Sequence, residues 1–381
     1  MNLKGRPTDH RNINLRQLNR DIIHGKSGGR VLWQPRILCW YGDRMYTGEG
    51  LPAPYTGMAP RELYRALGCS NRIYDYNAAI LKKEDETIQR RTEVLDPQRK
   101  KNIIETPVGS VFEVVRSNSS NYGEYNEKWL VEDEDDLRVM LYVEEHSRWC
   151  WNQKGYDDTL AYWGDNGEGS VYFPRVSVQC FYNELTGVEN GVYALTDFPD
   201  VCEEFFKVKH QKEMDFCRLL AKSPLEWINF GDNVHCGTLP PALFEKYVLP
   251  EYQARTEILR AAGKYSFAHW DGDTKAILRY ARETGLNGIE AITPEPQGDV
   301  TIEEVKAALG DEVDLVDGIP AVLFNAEYPV SLLKETVRKL IGLFAGHLIL
   351  GISDEMSSVG DIERIKIVGE MVDEHNASIG G

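Results

Sequence analysis

The segment from Lys264 to Asp273 joins a short apolar run to three ionisable side chains. The run is Tyr-Ser-Phe-Ala, and His269, Asp271 and Asp273 follow it directly. His269 and Asp271 have the same parity in an extended chain, so both side chains can face one side of a sheet. An imidazole and carboxylates at the end of a buried strand can bind a metal ion or move protons, whereas a solvated turn after a strand would have a similar composition.

Ionisable residues also follow four other strand-like runs. They lie in Gly231–Gly237, in Glu290 with residues 293–299, in Asp317–Pro320 and in Ser353–Glu355. The strands of an α/β barrel end at one common face, and enzymes with this fold place their catalytic groups there. Five such clusters favour a catalytic mouth over five unrelated polar loops.

The residue types in these clusters suggest three roles. The predicted metal ligands are His269, Asp271, Glu290 and Asp354. The predicted catalytic residues are Asp232, His235 and Asp299, and the predicted substrate-binding residues are Gln34, Arg36, Asn233, Trp270 and Asp317. Nitrogen and oxygen donors of this kind suit zinc, and an acid–base network without metal is the alternative. Cys236 could act as a nucleophile, although free cysteine is commonly buried without a chemical role.

Apolar runs predict the elements that position these residues. The strand-like runs are Val31–Ile37, Val176–Cys180, Trp227–Phe230, Tyr265–His269, Gly288–Ile292, Val313–Val316 and Leu348–Ile352. The helix-like runs from residue 198 onward are Phe198–Ala221, Pro241–Ala262, Thr274–Thr284, Ile302–Leu309, Ser331–Ala345 and Asp361–His375. Alternating strands and helices with short loops require parallel strands. The sequence therefore predicts a single (β/α)8 TIM barrel over residues 1–381, with an open doubly wound sheet as the alternative.

Residues 70–170 interrupt this rhythm and are interpreted as an insertion that caps the barrel. Residues 110–131 have the pattern of a hairpin, and a helix is predicted over Asp136–His146 behind a run of acidic residues. Aromatic residues follow, among them Trp149 and Trp151. They could hold a planar substrate or pack within the lid.

Composition excludes several classes of function. The 381 residues are 42% hydrophobic and have a formal net charge of −17, which argues against binding to nucleic acid. No apolar run is long enough to cross a membrane. The polar N-terminal segment and seven scattered cysteines without a Cys-x-x-Cys pair favour a cytoplasmic protein.

The segment Asn229–Tyr252 resembles the strand-four region of the uroporphyrinogen decarboxylase superfamily, in which an Asp-rich strand end precedes a Pro-x-x-Phe-x-x-x-x-x-Pro helix. The similarity continues through His269, Gly285–Asp299 and the final strand, so that it spans about residues 170–375. The resemblance implies a TIM barrel and a possible homodimer. The superfamily includes porphyrinogen decarboxylases and zinc-dependent methyltransferases that work with corrinoid proteins.

Two departures from the family patterns bear on the activity. Gln34–Arg44 lacks the Arg-Gln-Ala-Gly-Arg-Tyr motif of the decarboxylases. The methyltransferases that charge coenzyme M have His-x-Cys after strand five and a further Cys near strand eight, where this chain has His269-x-Asp271 and Asp354. Oxygen ligands in place of thiolates suit a zinc ion that acts on an ether or alcohol oxygen.

The resemblance thus implies a methyltransferase that moves a methyl group from a methoxylated, aromatic donor to the cob(I)alamin of a separate corrinoid protein, with bound zinc as Lewis acid. The chain has no Asp-x-His-x-x-Gly signature, so a partner must supply the cobalamin. The alternative is a metal-free decarboxylase in which Asp232 or Asp299 stabilises a cation or protonates a carbanion. A barrel kept as a binding scaffold is the third class.

Overall fold

The computed structural model describes residues 14–72, 74–118 and 123–379. Its strands are β1 (Leu32–Trp33), β2 (Ile80–Glu84), β3 (Gln89–Asp96), β4 (Arg99–Thr106), β5 (Gly109–Ser117), β6 (Glu124–Lys128), β7 (Ser147–Trp151), β8 (Ser170–Phe173), β9 (Trp227–Val234), β10 (Tyr265–Trp270), β11 (Gly288–Glu290), β12 (Asp314–Pro320) and β13 (Leu348–Ser353). Seven of these strands form the central sheet, in the order β1-β13-β12-β11-β10-β9-β8. Every neighbouring pair in that sheet is parallel.

The helices are α1 (Leu15–Ile23), α2 (Leu38–Thr47), α3 (Pro60–Leu67), α4 (Glu134–Glu145), α5 (Gln153–Trp163), α6 (Ser177–Cys180), α7 (Val188–Asp197), α8 (Pro199–Ala221), α9 (Pro241–Leu243), α10 (Leu249–Ala261), α11 (Ile302–Leu309), α12 (Val330–Phe344) and α13 (Glu363–Ile379). Two π-helical segments, Phe181–Thr186 and Phe244–Val248, continue α6 and join α9 to α10. Because strands and helices alternate from β9 onward, the architecture is TIM-barrel-like, as predicted.

The central sheet has seven strands in the part of the chain that the structure describes, so the predicted count of eight is not confirmed. The edge strands are β1 and β8. An irregular segment around Ser70 connects β1 with the residues that precede β8. The Ser70 N–H donates to the Trp33 carbonyl at 2.9 Å, and the Asn71 N–H donates to the Asn166 carbonyl at 3.2 Å. Backbone hydrogen bonds therefore connect this side of the sheet without a regular strand.

Three predicted elements differ from the structure. Val176–Cys180 was expected to be a strand, but Ser177–Cys180 is helical and the strand is β8, which ends just before Pro174. The first strand is shorter than Val31–Ile37, because Pro35 has no N–H to donate to a sheet. The run Thr274–Thr284 contains a 3-10 helix, Leu278–Thr284, in place of an α-helix.

Helix α1 closes the end of the sheet where the strands begin. Leu18 and Ile22 on its apolar face are buried in one cluster with Trp227, Phe267 and Ile349 from three of the strands. Burial of such side chains stabilises the fold by about 1.5–3 kcal/mol each. Polar chemistry is thereby left to the opposite, carboxyl-terminal end of the strands.

Strands β2 to β7 form two antiparallel sheets, β3-β4-β5-β6 and β2-β7. The predicted hairpin over 110–131 is confirmed by the pairing of β5 with β6, although residues 119–122 lie outside the described residues. Helix α4 begins two residues before the predicted Asp136, and the Asp133 side chain accepts a hydrogen bond from the Asp136 N–H at its N-terminus. That this region is an insertion over the barrel stays a prediction.

None of the helices within the described ranges is long and apolar enough to cross a membrane.

Candidate active site

A cavity of about 600 Å³ opens at the carboxyl ends of the central strands. Its lining residues are Arg36, Lys82, Glu144, Trp149, Tyr172, Phe173, Pro174, Arg175, Glu184, Lys209, Gly231, Asp232, Asn233, His269 and Asp354. A volume of this size suits a small organic ligand. The lining combines strand ends with side chains from β2, β7, α4 and α8.

His269 lies at the end of β10 and is paired in register with Glu290 of β11. The His269 Nδ1 atom lies 3.0 Å from Glu290 Oε1 and 3.2 Å from Arg36 Nη1. Only one of these contacts can be a hydrogen bond at a time, because Nδ1 either donates to Glu290 or accepts from Arg36. We assign the proton to Nδ1, since the ionised carboxylate of Glu290 is the stronger partner. The lone pair of Nε2 is then free to bind a ligand.

Arg72 fixes the buried polar core beneath His269. Its Nη1 donates to Glu290, its Nη2 donates to Asp317 Oδ1 at 2.6 Å, and its Nε donates to Gln34 Oε1 at 2.8 Å. The Arg72 side chain is only 2% exposed. Sequence reasoning missed this residue, because it lies in the irregular segment after α3 and follows no strand-like run.

The charge of Glu290 depends on these neighbours. Burial alone would raise its pKa, but Arg72, the hydrogen bond from His269 and the charge of Arg36 hold the pKa well below the usual value. Both carboxylate oxygens are engaged, Oε1 by His269 and Oε2 by Arg72. In this arrangement Glu290 orients His269, and its predicted role as a metal ligand stays a prediction.

Asp271 faces the other ring nitrogen of His269. Its Oδ2 lies 3.9 Å from His269 Nε2. With its amide nitrogen facing the carboxylate, Asn233 donates to Asp271 Oδ1 at 3.0 Å. Burial raises the pKa of Asp271, the His269 charge opposes this, and the negative charge of Asp354 adds to the rise. Asp354 lines the cavity together with His269, and Asp271, which is not part of the lining, lies near enough for the two carboxylates to interact.

The four predicted metal ligands are not gathered as closely as a formed metal site requires. Among the described residues, the group of three such side chains whose ligand atoms all lie within 4.8 Å of one another is His210, Glu213 and Glu251. Arg255 Nη2 contacts both of those glutamates. A guanidinium therefore already neutralises that group.

The carboxylates of Asp232 and Asp299, both predicted to be catalytic, accept hydrogen bonds from other groups of the protein. Asp232 lines the cavity, but its Oδ1 accepts from the Val176 N–H at 2.8 Å and its Oδ2 accepts from the Tyr252 hydroxyl at 2.7 Å. Asp299 accepts from the Thr274 N–H at 2.9 Å and holds the loop after β10. Both carboxylates therefore hold local parts of the protein in place, and their predicted catalytic roles stay predictions.

Four other predicted residues lie outside the cavity lining. His235 Nε2 lies 3.3 Å from Thr238 Oγ1 within the same turn. Trp270 is fully buried and meets the Phe244 ring edge-to-face at 5.3 Å, because it alternates with His269 and points towards the helices. Gln34 and Asp317 bond to Arg72 and support the site from below. Arg36 and Asn233 line the cavity as predicted.

Aromatic residues contribute two faces to the cavity. Trp149, from the aromatic-rich segment, lines it and stacks on Phe216 at 4.7 Å. Tyr172 lines it as well and stacks on Tyr74 at 4.1 Å. The thiol of Cys236 is not activated, since burial raises its pKa.

No protein-family model matches the chain, and no curated protein matches its sequence. The structure is similar to a methyltransferase from Methanosarcina mazei, with a TM-score of 0.60 and 12% identity over 94% of this chain and 98% of that chain. A B12-independent methionine synthase from a Shewanella species matches at a TM-score of 0.43 and 10% identity, over 92% of this chain and 96% of that one. The first similarity confirms the barrel-like fold that the sequence resemblance implies.

Proposed function

We propose that this protein is a methyltransferase that takes a methyl group from a methoxylated aromatic donor and passes it to the cob(I)alamin of a separate corrinoid protein. The observation that carries the proposal is the direction of His269. Glu290 holds Nδ1, and Nε2 faces Asp271 at the edge of a cavity large enough for an aromatic ether. The similarity in fold to a methyltransferase supports the same class of reaction.

The residue types around His269 suit zinc, although their ligand atoms lie farther apart than in a formed site. One imidazole nitrogen and two carboxylates, from Asp271 and Asp354, are ligand types that zinc accepts, at bond lengths of about 2.0–2.2 Å. Burial raises the pKa of Asp271, the charge of His269 opposes the rise, and the negative charge of Asp354 adds to it, so a bound cation would relieve the repulsion between the two carboxylates. A zinc ion held by these residues would supply a Lewis acid that makes the phenolate of the donor a better leaving group.

The side chains around this set position the ligands and the donor. Glu290 keeps the imidazole in the tautomer that leaves Nε2 unprotonated, and Arg72 keeps Glu290 ionised. Asn233 holds the carboxylate of Asp271. Tyr172, braced by Tyr74, offers a flat face against which an aromatic ring can lie.

The acceptor enters from outside the chain in this proposal. The sequence has no corrinoid-binding signature, and its net charge of −17 favours a partner with a basic face. The cavity opens at the strand ends, where such a partner can reach the methyl group.

A donor panel tests the proposal. The zinc-loaded protein is mixed with free cob(I)alamin and methoxylated aromatics, and the cobalt absorbance is followed as methylcobalamin forms. We expect methylation with at least one aryl methyl ether and about one zinc per chain by metal analysis. Metal-free protein that releases CO₂ from an aromatic acid, with no methyl transfer, would favour the decarboxylase instead.

A further inference from the structure

One part of the cavity lining carries an excess of positive charge. We call Lys82, Glu144 and Lys209 the lysine cluster. They come from β2, α4 and α8, and all three line the cavity. The Lys82 Nζ atom lies 2.7 Å from Glu144 Oε1, and Lys209 Nζ lies 3.8 Å from the same oxygen. Among the residues that line the cavity, these two ammonium groups thus face one carboxylate.

The other charged residues of the lining do not remove this excess, and Glu213, which also pairs with Lys209, is buried outside the lining and shared with Arg255. Arg175 and Glu184, which also line the cavity, pair with each other at 3.0 Å. In the strand-end part of the lining, by contrast, Asp232 and Asp354 outnumber Arg36. The cavity is therefore polarised, with a negative part around His269 and a positive part at the lysine cluster.

Lys209 gives the cluster a fixed position. Its side chain is 5% exposed, and its Nζ lies 3.2 Å from Glu213 Oε1. Glu213 is itself buried and contacts Arg255. An ammonium held in this way loses little freedom when it binds an anion, so the cost of ordering it is already met by the fold.

A flat apolar surface adjoins the same lysines. Lys82 Nζ lies 5.8 Å from the centre of the Trp149 ring. Trp149 is braced from behind by Phe216, and Phe173 lines the cavity as well. A ligand bound here meets ammonium groups and aromatic faces together.

We propose that the lysine cluster binds a carboxylate carried by the aromatic ring, so that the methyl donor is an aromatic acid. The carboxylate would bind at Lys82 and Lys209, because Asp354 would repel it from the part of the lining around His269. The ether end of the ring would then face His269. The orientation of the ether rests on the proposed function. The binding of the carboxylate does not.

Calorimetric titration separates these two claims, since it needs no methyl transfer. The probes are 4-methoxybenzoate and the neutral 4-methoxybenzamide, titrated into the unmodified protein, Lys82→Met, Lys209→Met and the control Lys83→Met. Lys83 is exposed on the same strand and does not line the cavity. We expect the unmodified protein to prefer the acid by about tenfold or more, as charge-assisted hydrogen bonds allow. Lys82→Met and Lys209→Met should each weaken acid binding by about tenfold and leave amide binding unchanged.

Equal affinity for acid and amide in the unmodified protein would overturn the proposal. An equal loss of affinity for the acid and the amide in Lys82→Met would also overturn it. Lys82 is partly exposed, so this replacement should preserve the fold. Lys83→Met should bind as the unmodified protein does, and a loss of acid affinity there as large as in Lys82→Met would also count against the cluster. If the acid binds through the lysines and no donor methylates cob(I)alamin, the carboxylate site stands and the proposed function fails.

Discussion

The His269 imidazole and the Glu290 carboxylate lie 3.0 Å apart on neighbouring parallel strands. The contact engages Nδ1 and leaves Nε2 facing Asp271. Because Arg72 bonds to the second oxygen of Glu290, the direction of the imidazole depends on two buried charges from different parts of the chain. The proposed metal site therefore depends on residues that would not touch the metal.

Replacing Glu290 with glutamine should weaken zinc binding by about 10–100-fold, the usual cost of losing a group that orients a metal-binding histidine. The amide removes the charge that favours the proton on Nδ1. Competition with a chromophoric chelator measures the zinc affinity. Glu303→Gln, on the exposed face of α11, serves as the control. Unchanged zinc affinity in Glu290→Gln would show that the contact does not orient a ligand.

Replacing Arg72 with methionine should reduce the free energy of unfolding by about 3–5 kcal/mol. The change leaves Glu290 and Asp317 buried without their common cation. Urea denaturation measures the difference, and Arg65→Met on α3 is the control, because that arginine is exposed. A loss below about 1 kcal/mol would mean that the two carboxylates take up protons at little cost.

A methyl group at Gly351 should disrupt the support of the site. A Cβ there would lie 2.1 Å from Asp317 Oδ1 and 2.9 Å from the Gln34 carbonyl oxygen. Gly351→Ala should therefore lower the free energy of unfolding by about 1–3 kcal/mol. Gly342→Ala is a matched control, because no atom lies within 4 Å of its Cβ position in α12, and it should stabilise the helix by about 0.5–1 kcal/mol. Equal stability of the two variants would contradict the packing around Asp317.

His347 should make stability depend on pH. The hydrogen bond with Asp314 raises the pKa of His347, and partial burial opposes the rise. A raised folded-state pKa stabilises the protein fully below the unfolded-state value of about 6.5, and this contribution disappears as pH rises through the folded-state pKa. His347→Gln should lower Tm by about 1–2 °C near pH 5.5, because solvent screens an imidazole that is 40% exposed, and should have no effect near pH 9. A larger effect at the higher pH would contradict this assignment.

The strands from β9 to β13 could be predicted because each is an apolar run bounded by turn residues. Their order along the chain also placed His269 and Glu290 at neighbouring strand ends, where the structure brings them into contact. The prediction of a strand over Val176–Cys180 was wrong, because a helix that is buried on all sides has no polar face and resembles a strand in sequence. Apolar character alone does not distinguish a buried helix from a buried strand.

The role of Glu290 could not be predicted, because it depends on Arg72. That arginine lies in an irregular segment, and its two carboxylate partners are more than two hundred residues away in sequence. The direction of the Trp270 side chain could not be predicted either. A strand that ends at the cavity also has a side that faces the helices, and a one-residue shift decides which side chain meets the substrate.

The most direct test of the proposed role of His269 is a single-turnover assay of cob(I)alamin methylation by protein that has been incubated with zinc and has His269 replaced by alanine. We expect a rate at least about 100-fold below that of the unmodified protein and a loss of bound zinc, whereas His146→Ala, at an exposed histidine, should behave as the unmodified protein does. A His269→Ala protein that keeps its zinc and transfers the methyl group at the full rate would contradict the proposed role.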